Sequence, residues 1–372
     1  MYSSPKFQHM RYSIFMAGLL MAYLPVLAQQ RQSIDFETYN PRSTLVVPAS
    51  KVVKSKYPFI DVHNHQRNMS EQDLSLLITE MDKMNMRLMI NLSGQGGKRL
   101  EDAVSRVRKE YPGRFALFTN INFNELGRKD WLETTLKQLE EDVRNGAVGL
   151  KVYKNLGFSA RDIDGKRIAV DDPRLKPVWD KCGELKIPVL IHTADPASFW
   201  DEPNADNERW LELITHPGRK RGPDNPVPFE ALISEQHRMF RASPGTTFIA
   251  AHFGWFPNDL DRLGKLLDEL PHVMVEFGAV IAELGRQPRH ARAFFEKYQD
   301  RILFGKDSWV PAEYETYFRV LETTDEYFPY HKKYHAFWRM YGLGLSDELL
   351  KKVYYKNALR IIPRLDGAGF PE

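Results

Sequence analysis

Phe59-Ile-Asp-Val-His63-Asn-His65 is the stretch on which the fold is read. An apolar run leads into two histidines two residues apart. Side chains alternate along a strand, so His63 and His65 face the same way. Two imidazoles on one face at that separation can bind one metal ion. A lone His-x-His pair is weak, because short motifs recur by chance and hydrogen-bonded core histidines give the same pattern. Its weight comes from its surroundings. Working outward, β-rich runs recur at Arg87–Leu92, Phe115–Ile121, Val148–Tyr153, Ile187–His192, Thr247–His252, Val273–Phe277 and Arg301–Phe304, and Phe59–His63 brings the number to eight.

Helical spacing separates most of these runs. Leu74, Leu77, Ile78 and Met81 fall at i, i+3, i+4 and i+7. Leu132, Leu136, Leu139 and Val143 make a second stripe, with Gly146 as its C-cap. Leu260, Leu263, Leu267 and Leu270 make a third. Eight strands alternating with helices over roughly 250 residues predict an α/β fold, a (β/α)8 TIM barrel. A doubly wound sheet would usually carry a Gly-rich phosphate loop after an early strand, and no GxGxxG or Walker sequence is present. Residues 193–229 are too long for an ordinary loop after the fifth strand and read as a lid. The tail is expected to pack on the barrel through helices within about 331–365, at Tyr334–Tyr341 and Asp347–Ile362.

Chemistry-bearing residues gather at the strand ends. Ile187-Pro-Val-Leu-Ile-His192 ends the fifth run and Thr247-Phe-Ile-Ala-Ala-His252 the sixth. Ile302-Leu-Phe-Gly-Lys-Asp307 brings a carboxylate to the end of the eighth. In a barrel the C-terminal rim is where active sites are built. A histidine ending an apolar run needs a partner or a metal. The competing readings are a satisfied core histidine for His252 and a helix cap for Asp307. Asp61 shares the face of His63 and either supports a metal shell or is an ordinary buried, hydrogen-bonded carboxylate.

This set resembles the amidohydrolase superfamily. It is most similar to the amidohydrolase-related branch that includes aminocarboxymuconate-semialdehyde decarboxylase and resorcylate decarboxylases. The similarity spans about residues 57–365. It rests on the His63/His65 strand, Ile-His192-Thr, Ala-His252-Phe-Gly, Phe-Gly-Lys-Asp307 and the closing Tyr-Lys-Asn357-Ala-Leu-Arg-Ile-Ile-Pro363. The resemblance implies that His63, His65, His192 and Asp307 hold a divalent metal, usually zinc, with manganese as the other choice. It implies that His252 acts on the substrate as acid, base or oxyanion stabiliser, and on physical grounds Asp307 can accept the proton of the attacking water. It also carries the expectation of a homodimer. Three neutral imidazoles and one carboxylate leave a dication with a net positive charge, enough to lower the pKa of water towards about 7.

Lys151 in Gly149-Leu-Lys151-Val-Tyr153 points inward and needs a charge partner. In two-metal members of the superfamily a carboxylated lysine on the fourth strand bridges the ions. In the decarboxylase-like branch one metal without that bridge is usual, and one is expected here. Lys151 would then pair with Asp61 or contact substrate. In the lid, Trp200, Arg219 and Arg221, together with Trp255 beyond His252, suit a small-molecule substrate that is aromatic or anionic. A loop packed on its own tryptophans is the alternative. The leading function is hydrolysis of a small amide, ester or lactone by metal-activated water. Non-oxidative decarboxylation of an aromatic or unsaturated acid is the second, and a metal-binding non-enzyme that has kept the fold the third.

Composition narrows the setting. The 372 residues carry 52 basic and 49 acidic side chains, a formal charge of +3, which argues against a dedicated nucleic-acid partner. One cysteine excludes an intrachain disulfide framework and a multi-cysteine zinc site. Lys6 and Arg11 precede the apolar run Tyr12–Ala28, with Val26 and Ala28 before Gln29-Gln30. That is a signal-peptide layout, so residues 1–28 are expected to be removed on export to the periplasm or outside the cell. An uncleaved anchor is the alternative, but Pro25 interrupts the run and it sits at the short end of a bilayer span. Cleavage leaves 344 residues at +1, with no other stretch able to span a membrane. Residues 29–56 read as a surface arm and 57–372 as the barrel.

Overall fold

The computed structural model describes residues 35, 38–222, 227–333, 335 and 337–371. The expected signal peptide lies outside them. Among the described residues no helix is long and apolar enough to cross a membrane. Two compact units part between Pro41 and Arg42. In the first, a turn brings the Thr38 N–H and hydroxyl onto the Asp35 carbonyl at 3.1 and 3.0 Å. The second, Arg42–Glu372, holds everything that follows. Its leading arm is tied down by polar contacts: Ser50 bonds Asp325 through its N–H and hydroxyl, and Lys56 pairs with Asp347.

The strands are β1 (Phe59–Asn64), β2 (Met86–Asn91), β3 (Phe115–Leu117), β4 (Thr119–Asn120), β5 (Leu150–Val152), β6 (Val189–Ile191), β7 (Phe248–Ala250), β8 (Val273–Glu276) and β9 (Ile302–Leu303). β3 and β4 are one barrel strand broken at Phe118. The Phe118 ring lies over Gly149, where an added Cβ would come within 2.3 Å of it. Neighbouring strands pair in parallel throughout. The seam closes where the Val62 N–H donates to the Phe304 carbonyl at 2.9 Å and the Asp307 N–H to the His63 carbonyl at 2.6 Å. The result is the (β/α)8 barrel expected from the alternation.

Apolar packing holds that seam shut. Phe59 on β1 meets Phe304 at a centroid distance of 4.7 Å, with Tyr314, Phe318 and Tyr354 around them. Burying one such ring contributes about 1.5–3 kcal/mol. The helix Leu260–Glu269 is capped by Asp259, whose side chain accepts from the Arg262 N–H at 3.0 Å. Helix Trp131–Asn145 ends at Gly146 with φ 116°, the expected left-handed cap. Its buried face runs through Trp131, Thr135, Leu139, Asp142 and Val143, and Leu132 is exposed. The larger indole claims the core position and turns the stripe by one residue.

The tail departs from its sequence reading. Among the described residues of 334–341 the expected helix is not found: Arg339–Met340 is a strand, β11, antiparallel to β10 (Phe328–Pro329). Aromatics at helical spacing imitated a helix, but the backbone donors go elsewhere. The Tyr341, Gly342 and Leu343 N–H groups bond the carbonyls of Gly285, Asp325 and Val320. Beyond it, Asp347–Ile361 is helical with a π-helical turn at Lys352–Lys356. Its Asn357 amide donates to the Gln299 and Ile302 carbonyls, both at 2.8 Å, and pins the foot of β9.

The lid also has its own structure. A short helix, Trp210–Thr215, stands in its middle, and a 14-residue helix begins at Phe229. Cys182 is buried in helix Lys176–Glu184, and burial pushes its thiol up, as suits a packing residue.

Candidate metal centre

At the mouth of the barrel each histidine has one ring nitrogen committed to a fixed partner. His63 Nδ1 lies 2.8 Å from Glu276 Oε1. His252 Nδ1 lies 2.6 Å from the Gly278 carbonyl, and His192 Nε2 2.8 Å from the Ala194 carbonyl. A carbonyl only accepts, and the same Glu276 oxygen already accepts the His252 N–H at 2.9 Å. These three ring nitrogens therefore carry the proton. His65 Nδ1 meets the Ser93 hydroxyl at 2.9 Å.

The remaining nitrogens face one another, and those of His63, His192 and His252 are bare. His63 Nε2 is 3.3 Å from His65 Nε2, and His192 Nδ1 is 3.2 Å from His252 Nε2. Asp307 Oδ1 stands 3.4 Å from His63 Nε2 and 3.7 Å from His65 Nε2. Lone pairs at that separation repel unless a proton or a cation lies between them. Burial lowers His65 to about 4 and holds His63 and His192 well below the ordinary imidazole range, so protons are not the natural occupant at neutral pH. Burial alone would raise Asp307, but the surrounding imidazoles and Lys151 outweigh it and keep its pKa lowered. Imidazoles with one ionised carboxylate are the donor set of zinc and manganese sites, so the residues fit a divalent metal. The ligand atoms of His63, His65 and Asp307 lie within 4.8 Å of one another, as do those of His63, His252 and Glu276, while His192, the fourth expected ligand, is in neither group. Glu276 is nonetheless spent on holding protons, which makes it an orienting group.

Local backbone brings these groups in. β7 stops at Ala250, and His252, Phe253 and Trp255 follow with φ of 57°, 56° and 63°. Asp307 sits at 80°. Left-handed backbone at a non-glycine residue costs about 1–3 kcal/mol and persists only where its surroundings impose it. Here Glu276 and the Gly278 carbonyl grip His252. Gly305 is required for a close approach: a Cβ there would come within 2.2 Å of Glu276 Oε2 and 3.0 Å of His63 Cβ. That explains the glycine two residues before Asp307.

Asp61 touches no imidazole ring. Its oxygens accept the His63 and Lys306 N–H groups, the Asn64 amide and the Tyr314 hydroxyl at 2.6 Å. Burial raises it to about 6. It is the hydrogen-bonded core carboxylate of the two readings, and it does not pair with Lys151. Lys151 is buried, its Nζ has no hydrogen-bond partner among the described residues, and burial lowers it to about 8.

A cavity of about 200 Å³ opens over this cluster. His192, His252 and Asp307 form its floor, and Arg219, Arg221 and Trp255 are on its walls. Trp255 packs against both imidazoles, at centroid distances of 5.5 Å from His192 and 4.6 Å from His252. Trp200 is not on the cavity wall. Its indole N–H donates to the Val227 carbonyl at 2.9 Å and its ring stacks on Phe158, so Phe199 lines the cavity instead. Trp200 is thus a packing residue, held between Phe158 outside the lid and Phe229 at the end of it. Arg221 is tied to Asp195, which also holds Lys154 at 2.7 Å. Arg219 bonds Glu212 at 2.6 Å. Lys332 and His335, from the segment before β11, complete the roof. Sequence reasoning missed them: His335 fell in a stretch read as helix, and Lys332, just before it, stood out from no other surface lysine. Glu276 was visible only as a charged residue ending an apolar strand, the same signal that exposes the histidines.

The amidohydrolase family model matches residues 93–364. The chain belongs to the amidohydrolase family. No curated protein sequence matches. Solved structures of similar fold include an uncharacterized TIM-barrel protein from Bordetella bronchiseptica, at 16% identity and TM-score 0.51 over 82% of this chain and 98% of that one. A 2,6-dihydroxybenzoate decarboxylase complexed with 2,6-dihydroxybenzoate aligns at 15% and 0.51, over 82% and 99%. A dihydroxybenzoic acid decarboxylase from a Polaromonas species, with bound manganese and 2-nitroresorcinol, aligns at 16% and 0.52, over 82% and 96%. At these identities the likeness shows the barrel shared with amidohydrolase-family relatives. The chemistry rests on the chain's own residues.

Proposed function

We propose that this chain is an exported, metal-dependent hydrolase that cleaves a small amide, ester or lactone, with one divalent ion, zinc by preference, held by His63, His65, His192 and Asp307. The observation that carries the reading is the set of bare imidazole nitrogens facing one another beside an ionised carboxylate. When bound, the ion supplies Lewis acidity and lowers the pKa of water towards about 7. The chain's residues do the rest. Asp307, ionised at neutral pH, takes the proton that water gives up as it attacks. His252, with Nδ1–H fixed on Gly278, keeps Nε2 to carry a proton to or from the reacting group. Lys154, Arg209, Arg219, Arg221 and Lys332 line the cavity against three carboxylates, Asp195, Glu212 and Asp307, and this excess of positive charge favours a substrate bearing negative charge. Lys151, buried without a hydrogen-bond partner, contacts an anionic oxygen of that substrate. Carboxylation of Lys151 to bridge a second ion is the competing role.

The same cationic wall favours a second reading, non-oxidative decarboxylation, because a carboxylate is the group such an enzyme removes. One experiment separates the two. Metal-loaded protein is offered panels of esters, lactones and aromatic acids while carbon dioxide release is followed. Turnover of an ester or lactone without carbon dioxide is expected. Release of carbon dioxide from the acids, with the esters untouched, would overturn hydrolysis. Folded protein with no affinity for divalent metal would overturn both.

A further inference from the structure

Three of the four rim histidines have their proton fixed by a group that can only accept: Glu276, the Gly278 carbonyl and the Ala194 carbonyl. His65 is different. Its Nδ1 faces the Ser93 hydroxyl at 2.9 Å, and a hydroxyl can give or receive. The direction is set one bond further out. Tyr153 Oη donates to the Leu92 carbonyl at 3.0 Å, which uses its only proton. Ser93 Oγ lies 3.1 Å from Tyr153 Oη and must donate there for that bond to exist. Ser93 then has only lone pairs for His65, and His65 Nδ1 holds the proton.

The opposite arrangement is easily written. If Ser93 turned its proton onto His65 Nδ1, the ring proton would sit on Nε2, 3.3 Å from the bare Nε2 of His63. His65 would donate to His63, and neither nitrogen would be open to a cation. The bond between Ser93 and Tyr153 would be lost. The outer hydroxyl therefore decides which of two proton arrangements the mouth adopts.

We infer that Ser93 and Tyr153 are positioning residues that hold His65 as its Nδ1–H tautomer and so keep its Nε2 open to a metal. Ser93, two residues past β2, and Tyr153, just past β5, bring the ends of two separate strands to bear on one imidazole. Tyr153 never touches the ion. The inference rests on the metal centre proposed above.

Zinc affinity is measured by chelator competition, and the His65 tautomer by nitrogen-15 NMR of metal-free, histidine-labelled protein. Ser93→Ala should raise the zinc dissociation constant about 10–100-fold, the usual range for losing a group that orients a ligand. Ser93→Thr, which restores the hydroxyl, should return it to within a few-fold of the parent. Tyr153→Phe, at a partly exposed position, should weaken zinc several-fold and lower the Nδ1–H fraction of His65, with the metal-free melting temperature unchanged. A parent protein wholly in the Nε2–H form overturns the inference. So does a Tyr153→Phe protein with unchanged tautomer, whether its zinc affinity holds or falls along with its melting temperature. The tautomer is read without metal, so a protein that binds no zinc refutes the metal centre and leaves the proton chain decided on its own signal.

Discussion

The mouth of the barrel and its roof are both crowded with ionisable side chains, and they are built on opposite plans. In the roof, opposite charges meet. Arg209, itself buried, pairs with Glu212 and Glu283 and lies 5.2 Å from the Trp338 ring centroid. Arg219 shares Glu212, Arg221 and Lys154 share Asp195, and Arg286 pairs with Glu208 at 2.9 Å. At the mouth, like meets like. Bare nitrogens oppose bare nitrogens at 3.2 and 3.3 Å, and left-handed backbone holds His252 and Asp307 in place. The roof answers most of its charges by pairing, whereas the mouth sets acceptor nitrogens against one another beside a carboxylate. This contrast separates structural charge from chemical charge better than residue type does.

The hardest test of the contrast removes a residue from the mouth. His63→Ala should reduce zinc affinity by more than about a hundredfold. It should also cost about 1.5–3 kcal/mol, because the buried Glu276 loses the hydrogen bond from the ring and keeps only the His252 and Gly278 N–H groups. Chelator competition and urea unfolding read the two effects. Unchanged affinity would make the mouth an ordinary polar core.

The converse change breaks the roof. Arg209→Met leaves the Glu283 carboxylate buried without its cation, a loss of about 3 kcal/mol. Glu212 keeps Arg219, which limits the damage. Thermal unfolding should fall and proteolysis within residues 193–222 should speed up, with zinc affinity within a few-fold of the parent. A large loss of zinc binding would mean that roof and mouth are one unit.

The smallest effect is graded by pH. The folded pKa values of His63, His65 and His192 are lowered, so below about 6.5 the unfolded chain takes up protons that the folded chain refuses. Stability of the metal-free protein is then full above about pH 6.5 and lost as pH falls towards 4, by about 1.4 kcal/mol per pH unit for each histidine. Urea unfolding at pH 7, 6 and 5 measures the slope. A flat profile would show that these imidazoles are not held neutral.

Much of the barrel was legible because strand and helix periods are local. Apolar runs marked the eight strand positions, and the strand-end rule picked out His63, His65, His192, His252 and Asp307. The same rule would have reached Glu276, but a carboxylate ending a strand carries no sign of which imidazole it will meet. The stretch 334–341 shows where periodicity fails: it read as helix, but among its described residues Arg339–Met340 pairs as a strand and the Tyr341 N–H goes to the Gly285 carbonyl. Trp200 shows the limit of composition, since a tryptophan near a mouth can serve to pack a loop onto its neighbours, here Phe158.

The sequence by itself determined the alternation that closes into a barrel and the residue types at its rim, because both depend on neighbours within a few positions. Only the tertiary structure decided which nitrogen of each histidine is free. That depends on carbonyls and hydroxyls contributed by other strands: Gly278 for His252, Glu276 for His63, and Ser93 with Tyr153 for His65. A proton's position on an imidazole is set by its partner across space, and no local pattern in the chain encodes it.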